Sequence, residues 1–206
     1  MNAKRKVTRM EYSAASVKFL LWFVETRETL KLLQEHDMNE VRNIVVENNV
    51  YQQKSQSRLI SEFGCIRKRI MTMPEELKQF MMNTDVNSAK IVALVASMAA
   101  DRLLFEFVYE IYREEVRLGG VELKDSDINI FFKNKIDQSD VIAGWTDATI
   151  KKLKQTYTKF LIEAGLVSKI NTLEKKINKP YIDPELRNIL KSNNMELYLY
   201  ALTGER

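Results

Sequence analysis

The sequence predicts an all-α fold, a globular bundle of about ten mostly short helices with helix–turn–helix-like segments and a small β-hairpin wing near 166–182. Three observations carry that expectation. Gly and Pro are scarce, six and three in 206 residues, whereas sheet-rich folds need many turn residues. Apolar residues recur at helical spacing through most of the chain. Ser, Thr, Asp or Asn precedes most of these runs, where its side-chain oxygen can satisfy the first free N–H groups of a helix. With 45% hydrophobic and 29% charged residues and a net charge of +4, the composition is that of a globular chain and excludes disorder and collagen.

The elements follow in order. Residues 1–10 form a basic arm with Lys4, Arg5, Lys6 and Arg9. It mimics the start of a signal peptide, but Lys18 and Glu25 break the apolar stretch behind it and no small-residue cleavage site follows. Val17, Leu20, Leu21 and Val24, extended by Leu30 and Leu33, predict a helix over about 15–35. It ends in Gln34-Glu35-His36-Asp37, where the sole histidine suits a solvated helix terminus. A short helix spans 39–47 and stops at Asn48-Asn49; hydroxyls at 55 and 57 open a helix over 56–71. Pro74 at the first helical position, followed by Glu75-Glu76, starts another. A loop is expected over 83–88, then helix from 89 to 117, its first half apolar on all sides and its end marked by Gly119-Gly120. Asp125-Ser126-Asp127 caps the next helix, with Ile128, Phe131 and Phe132; Ser139 to Gly144 encloses a short one. Thr146 caps a helix over 147–164 that Gly165 ends, and Asp183-Pro184 and Met195 begin the last two. No linker divides the chain, so residues 11–206 read as one compact helical domain, with 11–83 and 84–206 as its finer division. The most apolar run, 91–100, ends at Asp101-Arg102, well short of the roughly 20 residues a membrane span needs.

Two segments have the layout of a helix–turn–helix. In the first, Leu59, Ile60, Phe63, Ile66 and Ile70 share one face of the 56–71 helix, and Ser57, Arg58, Ser61, Lys68 and Arg69 share the other. Lys54 and Ser55 lie at its start. Such a face suits phosphates, and Arg58 near the N-terminus can also reach a base edge. In the second, the 147–164 helix sets Lys151, Lys152, Gln155 and Lys159 opposite an apolar stripe, and the wing adds Lys169, Lys175, Lys176 and Lys179. Eight lysines face three acids between Asp147 and Lys179, so the charge is concentrated there. These residues are the expected DNA contacts. Lysine is also the commonest way to solvate an outer helical face, and any two short helices with a polar joint resemble this layout.

No catalytic, metal or cofactor site is expected. One Cys and one His leave no His/Cys zinc site, and the single Cys65 forms no internal disulfide, in keeping with a reducing compartment. Gly119-Gly120 is an isolated pair rather than a phosphate loop. Glu122-Leu123-Lys124 has the E-x-K spacing of metal-dependent nucleases, with Asp101 upstream, but Asp101 reads as helical and 119–126 as a loop, whereas those enzymes use strands. Cys65 reads as structural, Met71, Met73, Met81, Met82 and Met98 as core filling, and Trp145 as an anchor for its turn.

Several stretches resemble BrxA, a family of BREX (bacteriophage exclusion) defence systems. The strongest is Asp101-Arg102-Leu103-Leu104-Phe105-Glu106-Phe107-Val108-Tyr109-Glu110-Ile111-Tyr112-Arg113-Glu114. Asp125-Ser126-Asp127-Ile128, Phe131-Phe132, Trp145 to Lys154 and Ala164-Gly165-Leu166-Val167 follow at similar spacing, and the likeness covers about residues 11–203. The resemblance implies an all-helical, DNA-binding, non-enzymatic accessory protein of the bacterial cytoplasm. It would work on double-stranded DNA beside an adenine methyltransferase, a phosphatase-like protein and an ATPase, away from any membrane. It transfers no DNA-contacting residue; the contacts named above rest on charge and helical phase. The rival expectation is a protein–protein scaffold within the defence complex, with incidental nucleic-acid affinity.

Overall fold

The structure, a computed structural model, describes residues 10–170 and 175–205. The fold is helical, with one small antiparallel sheet, as the sequence predicts. The basic arm, apart from Met10, lies outside the described residues.

The first expected helix is divided. A 3-10 turn, Ala15–Lys18, is followed by a non-helical strap over 19–22, and α1 begins only at Phe23–Leu32. At Trp22 the backbone turns left-handed, with φ 50°. Long-range partners impose this break. Arg69 Nη1 donates to the carbonyls of Leu20 (2.8 Å) and Leu21 (2.9 Å), and the Leu21 N–H donates to Glu163 Oε2 (3.0 Å). Backbone groups satisfied from elsewhere have no need of helical neighbours.

Local capping signals hold farther along. Asp37 and Glu40 form a reciprocal capping box at the start of α2, Met38–Glu47. Ser55 caps α3, Gln56–Ile70, and Pro74 stands at the cap of α4, Glu75–Asn83. The loop expected over 83–88 is shorter, because Asp85 accepts from the N–H groups of Asn87 and Ser88 and opens α5, Val86–Ala100.

Asp101 does not continue that helix. Its backbone is extended and its carboxylate accepts from Leu104 N–H, so it closes α5 and caps α6, Arg102–Phe107. A π turn, Val108–Tyr112, joins α6 to α7, Arg113–Leu118, and Gly119 ends the rod at φ 74°. Beyond it come α8, Asp125–Gln138, and α9, Asp140–Ala143. Then follows α10, Asp147–Glu163, capped by Thr146. The hairpin forms as β1, Val167–Lys169, paired with β2, Lys175–Ile177, in the register Val167↔Ile177. The 119–126 stretch is more than a loop: Val121 and Leu123 bond to the other edge of β2. Helices α11, Pro184–Ser192, and α12, Glu196–Thr203, complete the chain.

A single hydrophobic cluster runs from Leu21 to Leu202, with α5 inside it and its Ile91, Val92, Leu94, Val95 and Met98 all buried. Phe107, Phe131, Phe132 and Tyr157 pack in ring pairs 5.3–6.4 Å apart, binding the rod and α8 to α10. Met73, Met81 and Met98 fill the core, but Met71 does not; it is 69% exposed because α3 ends there. No described helix is long and apolar enough to cross a membrane.

Candidate nucleic-acid interface

The two basic helices predicted from the sequence meet at one groove of about 670 Å³. From α3 come Ser57, Arg58, Ser61 and Glu62; from α10 come Lys152, Gln155, Thr156 and Lys159. Lys18, at the end of the 3-10 turn, and Phe19 and Trp22 of the strap lie between them. Arg69 and Glu163 hold the strap in place. Glu163 is thereby engaged on α10, and it also lies 3.5 Å from Lys159. The Arg69 guanidinium sits 5.4 Å from the Phe160 ring and 5.6 Å from the Trp22 ring, which joins α3 to α10 beneath the groove.

Four cations line the groove, Lys18, Arg58, Lys152 and Lys159, against one acid. That acid, Glu62, is buried, and neither carboxylate oxygen has a hydrogen-bond partner among the described residues. Burial, with help from the nearby Glu25 carboxylate, pushes its pKa up to about 7, although Arg58 and Arg69 pull the other way. At neutral pH the groove is thus strongly positive at its rim, with a carboxyl beneath that is only partly ionised.

Ser57, Arg58, Ser61, Lys152, Gln155 and Lys159 are therefore brought together. Lys54, Ser55, Lys151, Lys169, Lys176 and Lys179 are exposed but do not line the groove. Lys68 is exposed and borders a second crevice beside Asp101 and Arg102. Two expectations are corrected. Arg69 does not share the open face of Arg58; it is 4% exposed, because α3 is packed by the strap and α10 as well as by the core. Lys175 is buried and its ammonium lies 2.7 Å from Asp125 Oδ1, since the 121–123 segment covers that edge of the hairpin. Lys18, Phe19 and Glu163 enter the site without having been expected there. Only Lys18 carries a signal, a cation interrupting an otherwise apolar stretch.

The joints of the two helix–turn–helix-like segments differ. Residues 48–55 separate α2 from α3, longer than the 3–4-residue turn of that motif. Only Gly144, Trp145 and Thr146 separate α9 from α10, and the hairpin follows at the far end of α10. Trp145 is partly buried against the core, as an anchor for this turn would be.

Asp101, upstream in the E-x-K pattern, accepts hydrogen bonds from Ser16 Oγ and Tyr157 OH in addition to its cap. Among the described residues no three His, Cys, Asp or Glu side chains cluster as metal ligands would.

A family model described as BrxA matches residues 10–194. The chain belongs to the BrxA family. It is 31% identical over 186 residues to the BREX protein BrxA of Bacillus cereus (strain H3081.97), covering 90% of this chain and 92% of that relative. The BREX protein BrxA of Paramagnetospirillum magneticum (strain ATCC 700264 / AMB-1) is 23% identical over 171 residues, 83% of this chain and 85% of that one. The fold of this chain is shared by an uncharacterized protein from Magnetospirillum magneticum known from a crystal structure. That match has a TM-score of 0.80 at 21% identity and covers 95% of this chain and all of the other. Membership in BrxA places the chain in a family of BREX phage-defence systems.

Proposed function

We propose that this protein is a non-enzymatic DNA-binding accessory protein of a BREX system, holding double-stranded DNA mainly by phosphate contacts with little sequence preference. One observation carries the reading: cationic faces from distant parts of the chain, around Arg58 and Lys152, converge on the same groove. Phosphates are held by such clusters of Lys and Arg, with hydroxyl and amide donors such as Ser57, Ser61 and Gln155 fixing the register. Lys54, Lys68, Lys151, Lys169, Lys176 and Lys179 are exposed and supply further cations for phosphate in this reading. In this reading the protein acts in the bacterial cytoplasm alongside the methyltransferase, phosphatase-like and ATPase components of the system.

Fluorescence anisotropy with a labelled duplex at several salt concentrations tests it. If the four groove cations each neutralise one phosphate, log K falls against log salt concentration with a slope of roughly −3 to −4. Arg58→Ala and Lys152→Ala each reduce the slope by about one. Salt-insensitive binding, or unchanged slopes in both variants, would overturn the phosphate mechanism. Loss of assembly with other BREX components, with DNA affinity intact, would favour the scaffold instead.

A further inference from the structure

Glu62 has no part in holding phosphate, yet it sits in the wall of the groove proposed to do so. The residue is 1% exposed and both carboxylate oxygens are sealed, so no ligand touches them. Neither oxygen has a hydrogen-bond partner among the described residues, and Arg58, one turn earlier on α3, does not bond to it. A buried carboxylate in that state is costly, and taking up a proton relieves the cost.

The groups that act on it are few. Arg58 and Arg69 on α3 favour its ionised form, and Glu25 on α1 opposes it. Cys65 on α3 and Tyr51 in the 48–55 joint are also near, but burial pushes both above their ordinary range, and the Tyr51 hydroxyl is paired with Thr29 at 2.5 Å. Lys18, Lys152 and Lys159 line the groove with it, while Glu163 on α10 is engaged by the Leu21 N–H and Lys159. The balance leaves the Glu62 carboxyl titrating at about 7. The other residues lining the groove include no acid and no histidine.

Bound phosphate would act on this carboxyl through space, without contact. An anion within about 8 Å, in a groove open to solvent, disfavours the ionised carboxyl roughly three- to tenfold. A phosphate on Arg58 also cancels a charge that favours ionisation, which works in the same direction. Linkage makes the effect reciprocal: if bound DNA favours the protonated carboxyl, the protonated carboxyl favours bound DNA.

We infer that Glu62 is a proton-linked switch beneath the groove between α3 and α10: its carboxyl takes up a proton as DNA phosphate binds, and its ionisation on the alkaline side loosens the grip. The inference rests on the phosphate-holding groove proposed above and adds its regulation. The affinity gained is fully present on the acid side and is lost as pH rises through about 7.

The test is fluorescence anisotropy of the full chain with a labelled duplex, at one fixed salt concentration across roughly pH 6 to 8.5, a span that brackets the Glu62 titration. The parent is expected to lose affinity roughly three- to tenfold over that span. Glu62→Gln, which fixes the uncharged form, keeps the low-pH affinity of the parent throughout. Glu62→Met, of similar length but without polar atoms, behaves likewise, and unchanged helical circular dichroism spectra confirm that both variants fold. His36 and the N-terminal amine are common to all three proteins, so the difference between parent and variants isolates Glu62. Calorimetry at neutral pH, in buffers of different ionisation enthalpy, shows the parent taking up more protons on binding than either variant. Parallel pH profiles in parent and variants, or a parent that binds more tightly as pH rises, would overturn the inference. A steep salt slope with parallel pH profiles removes the switch and leaves the DNA-binding proposal standing; no duplex binding at any pH removes both.

Discussion

Arg69→Ala removes the residue that ties the strap to α3. Arg69 makes two charge-assisted hydrogen bonds, to the Leu20 and Leu21 carbonyls, and its guanidinium stands within 6.0 Å of the Phe19, Trp22 and Phe160 rings. A hydrogen bond to a charged group contributes about 1.5–3 kcal/mol. The truncation also leaves a space among the rings and two carbonyls unpaired. Discounting for the high desolvation cost of a buried guanidinium, the net loss is on the order of 4 kcal/mol. For a chain of this size that corresponds to a fall in Tm of roughly 8–16 °C, measured by thermal circular dichroism. Arg69→Met, which keeps much of the packing but not the donors, is expected between Arg69→Ala and the parent. Lys68→Ala, next in sequence and exposed, should stay within about 0.5 kcal/mol. An Arg69→Ala protein melting within about 2 °C of the parent would refute the reasoning that the guanidinium holds the strap.

Glu62 carries a pH signature. Its carboxyl titrates at about 7 in the folded protein against 4.5 for the free side chain, so between those values the folded state binds the extra proton and stability falls as pH rises. Glu62→Gln abolishes that fall and should gain on the parent by on the order of 2 kcal/mol between pH 4.5 and pH 8, allowing for solvent reaching the groove; parallel Tm–pH curves for the two proteins would sink the assignment. On the hairpin, Lys176→Glu should weaken duplex binding in the anisotropy assay. Lys175→Ala should leave its salt slope intact and cost about 1 kcal/mol in urea unfolding, because its ammonium is committed to Asp125. Equal effects of the two substitutions on DNA binding would contradict the buried placement of Lys175.

What the sequence revealed divides along range of interaction. Caps act over three or four residues, so Ser55, Thr146 and Asp183 could be read directly, and the helices they start are where the periodicity predicts them. The strap was hidden for the opposite reason: its apolar residues keep helical spacing, and the groups that unwind it, Arg69 and Glu163, lie far away in the sequence. Asp101 sits within a run that reads as helix on both sides, and its capping role emerges only with Ser16 and Tyr157 around it. The site was half legible. Arg58 and Lys152 were visible as cations opposite an apolar stripe. Glu62, Cys65 and Arg69 form a second buried stripe on α3, at spacings of three and four, and only the packing of the strap and α10 shows that this side is covered.

The strap sets the gauge of the groove. A few residues of peptide, pinned at its carbonyls from one wall and at an amide from the other, act as a spacer whose length fixes how far α3 stands from α10. One residue inserted or deleted between Lys18 and Phe23 would change that clearance and displace Leu21 and Trp22 from the core. The width of the channel is thus coupled to the core beneath it, which the strap itself enters through Leu21 and Trp22.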